Sequence, residues 1–232
     1  MIALVNPHAT NWRCRIPLSL LSIGASLEGR YSYHVLDGNI DRDIATTLTK
    51  LIGERSIRYV GFTVMPGPQL HQSILLSRMI RERFPSVKIV WGGYFPTLHT
   101  NVVLRAPYVD FVIRDQGDVS FRRLIDALEI GGDLSAIQGL SYKAGSIQHN
   151  QKQELIDPND LPPLPYSKLN ITPYIGRTYL GTRTVNYHSS VGCPFLCGFC
   201  AVAAVYKARW IGLAPERIAS DLAWFKKSFD VN

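Results

Sequence analysis

Short runs of β-branched and aromatic residues alternate with helix-like segments over residues 1–130, and this alternation constrains the fold more than any other feature. The runs predict five strands, over residues 2–5, 33–36, 59–63, 88–91 and 111–113. Apolar residues at helical spacing predict helices over residues 43–55, 69–84 and 119–130. Because nearly continuous apolar strands that alternate with helices form parallel sheets covered on both faces, we expect a doubly wound α/β domain.

The loops that follow the predicted strands are the expected binding site. In parallel sheets of this kind, ligands bind beyond the carboxyl ends of the strands, where the chain order reverses. Four loops, at residues 6–13, 64–67, 92–96 and 114–118, contain glycine, proline or small polar residues that let the backbone approach a large ligand. The chain has no Gly-x-Gly-x-x-Gly, which disfavours a nicotinamide or flavin dinucleotide.

Residues 131–184 have the composition of a connector between two domains. Residues 140–149 predict a small hairpin that turns at Ala144 and Gly145. Residues 157–165 contain four prolines in nine positions, which excludes a helix or a central strand. We therefore expect this stretch to run extended over a surface.

Three cysteines, Cys193, Cys197 and Cys200, form a Cys-x-x-x-Cys-x-x-Cys motif within eight residues. Three thiolates at this spacing suit three irons of a cubane cluster, which leaves the fourth iron free to bind a small molecule. A structural zinc site would need a fourth ligand, and Cys14 and His188 are at the wrong spacing for one. A thioredoxin-like dithiol would have no third thiol. A strand is predicted before the motif, over residues 185–191, and a helix after it, over residues 215–228.

Four segments carry a resemblance to a known family. Residues 17–28, 92–97 and 110–118 resemble the cobalamin-binding domain that precedes many radical S-adenosylmethionine (radical SAM) enzymes. Residues 190–200 resemble the signature of the radical SAM domain itself. Two departures stand out: residues 115–118 read Asp-Gln-Gly-Asp where the family has Gly-Glu-Gly-Glu, and the Asp-x-His-x-x-Gly signature is absent. The resemblance therefore implies cobalamin without a histidine on cobalt.

The resemblance implies that the chain consists of three parts. Residues 1–130 are expected to be a Rossmann-like (flavodoxin-like) cobalamin-binding domain with a doubly wound parallel sheet, and residues 131–184 a proline-rich connector. Residues 185–232 are expected to hold the first βα unit of a radical SAM partial TIM barrel. The sequence stops at Asn232, about where a second barrel strand would begin. We therefore expect this chain to be incomplete for catalysis.

The resemblance also implies the cofactors and their ligands. Cys193, Cys197 and Cys200 would ligate a [4Fe–4S] cluster, S-adenosylmethionine would bind the open iron, and Phe199 would contact its adenine. The expected cobalamin contacts are Asn6, Trp12, Thr63, Val64, Met65, Gly92, Gly93, Tyr94, Gln116 and Gly117. The expected partners are a small-molecule or metabolite substrate and a reductant such as flavodoxin or ferredoxin.

Charge and cysteine content narrow the function classes. The net charge of +7 is scattered, and no segment alternates basic and aromatic residues, which disfavours a nucleic-acid partner. No apolar run is long enough to span a membrane, and three clustered cysteines with one remote favour a reducing compartment, the cytoplasm.

We expect a cobalamin-dependent radical SAM enzyme that cleaves S-adenosylmethionine to drive methyl transfer or another radical reaction. One alternative is a non-catalytic module that binds a corrinoid or a partner. Another, a tRNA methylthiotransferase, would need further cysteines in the first domain, where only Cys14 is found.

Overall fold

A computed structural model describes all residues from Met1 to Asn232, which form nine strands and eight α-helices. The strands are β1 (Ile2–Asn6), β2 (Tyr33–Asp37), β3 (Tyr59–Thr63), β4 (Lys88–Gly92), β5 (Phe111–Ile113), β6 (Leu140–Ala144), β7 (Ser146–His149), β8 (Ser190–Gly192) and β9 (Trp210–Gly212). The helices are α1 (Leu18–Leu27), α2 (Ile44–Arg55), α3 (Pro68–Arg83), α4 (Tyr94–Leu98), α5 (Thr100–Arg105), α6 (Asp118–Ile130), α7 (Ala201–Tyr206) and α8 (Pro215–Phe229). No helix has the length and apolarity that a membrane span requires.

The central sheet has the strand order β2-β1-β3-β4-β5-β6-β7. The first five strands are parallel, as predicted, and β6 and β7 are antiparallel additions at one edge. The order reverses at β1, because β2 lies on one side of it and β3 on the other. This doubly wound arrangement confirms the predicted flavodoxin-like α/β fold.

Each face of the parallel sheet buries its own core. Alternate residues of a strand point to opposite faces. Thus Leu4 joins the cluster that contains Leu20 and Leu124, from α1 and α6. Its neighbour Ala3 joins the cluster that contains Leu48 and Ile80, from α2 and α3. The near-continuous apolar strands predicted a sheet covered on both sides, and the structure confirms it.

The helix ends follow the residues that the sequence offers. Asp43 caps α2, and its side chain accepts a 3.3 Å hydrogen bond from Thr46 N. Gly131 ends α6 in a left-handed conformation with φ 66°. Both ends agree with the predicted helices over residues 43–55 and 119–130.

Three details differ from the prediction. The predicted hairpin at residues 140–149 forms, but β6 also pairs with β5 and extends the central sheet. The strand predicted over residues 185–191 is wrong for residues 185–189, because only Ser190–Gly192 pair with a neighbouring strand, β9. Asn186 instead bonds the backbone of Ile16 through its side chain, accepting from Ile16 N at 2.8 Å. Helices α1, α4, α5 and α7 and strand β9 were not predicted.

The connector is packed against α1 and α8. Tyr166, Ile171 and Tyr174 of the connector share a buried cluster with Leu21 of α1 and Phe225 of α8. The Tyr166 and Trp224 rings stack with their centroids 5.4 Å apart. This apolar cluster holds the segment that carries the cysteines against the first domain.

Candidate functional site

A cavity of about 810 Å³ lies at the carboxyl edge of the parallel sheet. One wall comes from the loops after β1, β3, β4 and β5 and from the first half of α1. The facing wall comes from the connector, from residues beside the cysteine motif, and from α8. The cavity therefore spans the reversal of strand order, where sheets of this kind bind ligands.

Nine of the ten residues predicted as cobalamin contacts line this cavity. They are Asn6, Trp12, Thr63, Met65, Gly92, Gly93, Tyr94, Gln116 and Gly117. Val64 does not, because its side chain is fully buried in the core cluster on one face of the sheet. The backbone alternates direction at the end of β3, so neighbouring residues cannot all face the same side.

The glycines after β4 and β5 make a smooth edge to the cavity. Gly93 has φ +99°, and a Cβ there would lie 3.0 Å from both Val64 N and Val64 O. Gly117 has an ordinary backbone, and a Cβ there would meet only Ile113 and Ile23, at 3.5 and 3.7 Å. A side chain longer than alanine at Gly117 would therefore extend into space that a ligand could occupy. This cradle fits a large cofactor with an extended face.

Both polar atoms of the Gln116 side-chain amide form hydrogen bonds to the backbone of Ile156. Its Nε2 donates to Ile156 O at 3.2 Å, and its Oε1 accepts from Ile156 N at 2.7 Å. The side chain borders the cavity, but its polar atoms hold the connector. Its role in this structure is to fix one wall of the site.

A second set of bonds fixes the connector to α8. Arg217 donates through Nη1 to Pro158 O at 2.8 Å and to Leu161 O at 3.0 Å. Asn159 Oδ1 accepts a 2.7 Å hydrogen bond from Ala214 N. Pro158, Leu161 and Arg217 all line the cavity. The proline-rich stretch predicted to run over a surface is thus a fixed wall between the two halves of the chain.

The cysteine loop begins where β8 ends. Cys193 N donates to Arg209 O at 3.0 Å, and Cys200 N donates to Cys197 O at 3.0 Å. Gly192 has φ +80°, and a Cβ there would lie 2.1 Å from Arg209 O, so the position requires glycine. The loop therefore has a fixed entry from β8 and a local turn before α7.

All three motif cysteines are free thiols, and their side chains do not converge with each other or with His, Asp or Glu as a metal-holding group. The donor set nevertheless fits an iron–sulfur cluster, since three unpaired thiols lie on one short loop. Phe199, the predicted adenine contact, is 95% exposed and does not line the cavity. The predictions for these four residues stay predictions.

Helix α4 of the first domain packs beside α7, the helix that follows the last cysteine. Burial raises the pKa of Tyr94, and the nearby Cys200 adds to the rise. Burial also raises the pKa of Tyr206, and Tyr94 and Asp118 add to the effect. These two tyrosines therefore keep their protons at neutral pH.

The cavity interior disfavours charge at two further side chains. Burial raises the pKa of Asp118, although a hydrogen bond from Ser22 works against the rise. Burial and the charge of Arg15 lower the pKa of His188. The sequence assigned no site role to Asp118, His188 or Tyr206. The latter two lie far along the chain from the loops that they face, and no local pattern could have placed them there.

Comparisons with known proteins agree with this geometry. Residues 14–125 match the B12 binding domain family. The chain is 27% identical over 219 residues to the anaerobic magnesium-protoporphyrin IX monomethyl ester cyclase of Synechocystis sp., covering 93% of this chain and 43% of that protein. It is 25% identical over 164 residues to the cobalamin-dependent radical SAM methyltransferase TokK of Streptomyces tokunonensis, covering 66% of this chain and 23% of that protein.

A solved structure shares the fold. The cobalamin-dependent S-adenosylmethionine radical enzyme OxsB, with aqua-cobalamin and S-adenosylmethionine bound, superimposes with a TM-score of 0.80 at 20% identity. The match covers 100% of this chain and 32% of that one. The chain therefore spans less than half the length of each of these relatives.

The fold and the family match define residues 14–125 as a B12-binding domain. With the relatives that match along most of its length, the chain is similar to the B12-binding-domain-containing radical SAM proteins.

Proposed function

We propose that this chain binds cobalamin in the cavity and a [4Fe–4S] cluster on Cys193, Cys197 and Cys200, as part of a cobalamin-dependent radical SAM enzyme. The supporting observation is that the two walls of the cavity come from different parts of the chain. One wall is formed by loops of the B12-binding domain, and the other includes Ser190 and Tyr206, which flank the cysteine loop. Two cofactors held by these two elements would face a common space.

The two cofactors would supply different parts of one reaction. Cys193, Cys197 and Cys200 would hold a cluster that could supply an electron to S-adenosylmethionine, and the cavity would hold a cobalamin that could serve as a methyl carrier. The reaction proposed is methyl transfer to a small-molecule or metabolite substrate, or another radical reaction on it. The reductant proposed for the cluster is a flavodoxin or a ferredoxin, in the cytoplasm.

Residues of the chain itself would shape this cavity and help to exclude water from it. Gly92, Gly93 and Gly117 offer backbone rather than side chains at the sheet edge, so a broad ring system can lie close to it. Leu161 and Leu164 of the connector cover the cavity from the opposite side. His188 is neutral at pH 7 because burial lowers its pKa, so it can donate or accept a hydrogen bond without adding charge. The apolar side chains of both walls would help to exclude water, which protects a reactive radical from side reactions.

The test is anaerobic reconstitution of the 232-residue chain with ferrous iron and sulfide, followed by hydroxocobalamin. We expect the gel-filtered protein to retain both iron–sulfur and corrin absorption. The variant Cys197→Ala should lose the iron and its absorption and keep the corrin. The matched control is Cys14→Ala, which removes the remote cysteine and should keep both.

The outcomes separate the proposal from its rival. Iron–sulfur absorption that survives in Cys197→Ala would contradict the assignment of the cluster ligands. Retention of hydroxocobalamin with no cluster in the unsubstituted chain would favour a corrinoid-binding module without radical chemistry. Loss of hydroxocobalamin on the gel filtration column would refute binding in the cavity.

A further inference from the structure

Asp37, the last residue of β2, carries a buried carboxylate that only neutral groups contact. It is 6% exposed and makes no salt bridge to lysine or arginine. Its Oδ1 accepts hydrogen bonds from Asn6 Nδ2 at 2.9 Å, Asn39 N at 2.9 Å and Asn39 Nδ2 at 2.8 Å. Its Oδ2 accepts from Tyr174 Oη at 2.9 Å. A buried carboxylate without a salt bridge depends strongly on each such donor.

The carboxylate fixes the direction of the two amides that contact it. A carboxylate only accepts, so Asn6 and Asn39 must turn their NH₂ groups toward Asp37 and their oxygens away. The oxygen of Asn39 accepts from Ala9 N at 2.8 Å and Thr10 N at 3.1 Å. These two backbone groups belong to the loop after β1, and Ala9 and Thr10 both line the cavity.

The other amide extends the network to the loop after β3. Asn6 Oδ1 accepts from Gln69 Nε2 at 2.7 Å, and Gln69 Oε1 accepts from Met65 N at 3.0 Å. Met65 also lines the cavity. One carboxylate therefore fixes two of the loops that form the cavity wall at the reversal of strand order.

Tyr174 brings the connector into the same network. It lies 137 residues along the chain from Asp37, and its ring is buried in the cluster that joins the connector to α1 and α8. Its hydroxyl donates to Oδ2 of Asp37, the carboxylate oxygen that the two amides do not contact. The packing of the connector and the position of the loop after β1 thus both depend on the buried carboxylate of Asp37.

We propose that Asp37 is a positioning residue that couples the docking of the connector, through Tyr174, to the placement of the loop at Ala9 and Thr10 against a bound corrinoid. The inference rests on the proposed cobalamin site. Losing the Tyr174 hydroxyl leaves the charge with fewer donors, so the amides shift to compensate and the loop moves with Asn39. A purely structural role would instead lower stability and leave the loop and the ligand affinity unchanged.

The first test needs no ligand and measures amide hydrogen exchange in the 232-residue chain. Tyr174→Phe removes only the hydroxyl, and we expect exchange at Ala9 and Thr10 to become about tenfold faster than in the unsubstituted chain. The matched control is Tyr166→Phe. Tyr166 lies in the same cluster, but its buried hydroxyl has no hydrogen-bond partner, so exchange should stay unchanged. Unchanged exchange at Ala9 and Thr10 in Tyr174→Phe would overturn the coupling.

The second test measures the dissociation constant of hydroxocobalamin for Tyr174→Phe, Asn39→Ala and the double variant. Each single change should weaken binding about tenfold, which corresponds to one hydrogen bond to a charged group. The double variant should be little worse than either, because both changes break the same path. Effects that multiply to about a hundredfold would overturn the inference. If the unsubstituted chain does not bind hydroxocobalamin, the proposed function fails, and the exchange experiment still decides the coupling by itself.

Discussion

Gln116 and Ile156 exchange two hydrogen bonds, so that the side chain of one pairs with the backbone of the other. The donor–acceptor distances are 3.2 Å from Gln116 Nε2 and 2.7 Å to Gln116 Oε1. The pairing resembles one rung of a β-ladder and joins the loop after β5 to the start of the proline-rich stretch. It makes the loop after β5 and the connector one continuous wall of the cavity.

The pairing predicts the behaviour of Gln116→Glu. A carboxylate still accepts from Ile156 N, but it cannot donate to Ile156 O and it is repelled by that carbonyl. We expect the free energy of unfolding to fall by about 1–3 kcal/mol, the cost of a buried polar group left without a partner. We also expect faster proteolytic cleavage in residues 150–165, measured by limited digestion. The matched control is Gln151→Glu at an exposed position, and an equal loss of stability there would contradict the assignment.

The elements with a local sequence signal were predicted well. Apolar periodicity in the sequence indicates strands β1 to β5 and helices α2, α3 and α6. The cap at Asp43 marks the start of α2, and the glycine after Ile130 marks the end of α6. Helix α4 spans only five residues and includes Pro96, so it is too short for a periodic pattern. The pairing of β6 with β5 has no local signal at all, because it depends on how the two segments meet in space.

The site was predicted at the level of loops rather than atoms. Parallel strands end at one edge, so the loops after them could be assigned to a common site from the sequence. The sequence could not show that Val64 turns into the core or that Gln116 gives its amide to Ile156. It also could not pair Asp37 with Tyr174, because that contact depends on the packing of the connector.

A pair of glycines separates backbone strain from steric contact. Gly67 and Gly93 both have positive φ, at +91° and +99°, but a Cβ at Gly67 meets nothing within 4 Å. Gly67→Ala should therefore lose about 1–3 kcal/mol of unfolding free energy, the cost of the backbone conformation alone, because its φ of 91° and ψ of −142° lie in a region that favours glycine. Gly93→Ala should lose about 1–3 kcal/mol more, because its Cβ also presses on the backbone of Val64. Urea denaturation of both variants measures the difference, and equal losses would show that the contact with Val64 relaxes at no cost.

The buried carboxyl of Asp118 predicts an unusual dependence of stability on pH. Burial raises its pKa above the ordinary 3.8, so between 3.8 and the raised value the native chain holds a proton that the unfolded chain has released. The free energy of unfolding therefore falls as pH rises through this window. Asp118→Asn removes this titration, so its stability relative to the unsubstituted chain should increase as pH rises above 3.8.

Asp133 gives the control of opposite sign. Hydrogen bonds from the side chain and backbone of Ser135 lower its pKa below 3.8, so its stabilising effect is present above 3.8 and is lost as pH falls through the lowered value. Asp133→Asn should therefore be less stable than the unsubstituted chain at neutral pH and equal to it in acid. Chemical denaturation over a pH series measures both variants. A difference that runs in the same direction for Asp118→Asn and Asp133→Asn would contradict the burial of Asp118.

Gly117 offers a way to close the cavity without disturbing the fold. Its backbone is in the right-handed helical region, at φ −91° and ψ −8°, which any residue adopts, and a Cβ there makes only ordinary contacts with Ile113 and Ile23. Gly117→Ala should therefore raise the free energy of unfolding by about 0.4–1 kcal/mol, because it restricts the unfolded chain, and should still bind hydroxocobalamin.

Gly117→Leu should fold as well, but its longer side chain would fill space beside the loop after β5. We expect its dissociation constant for hydroxocobalamin to rise by about a hundredfold or more, measured by equilibrium dialysis, since a rigid ring cannot share that space. Equal affinity in the alanine and leucine variants would place the corrinoid away from the loop after β5.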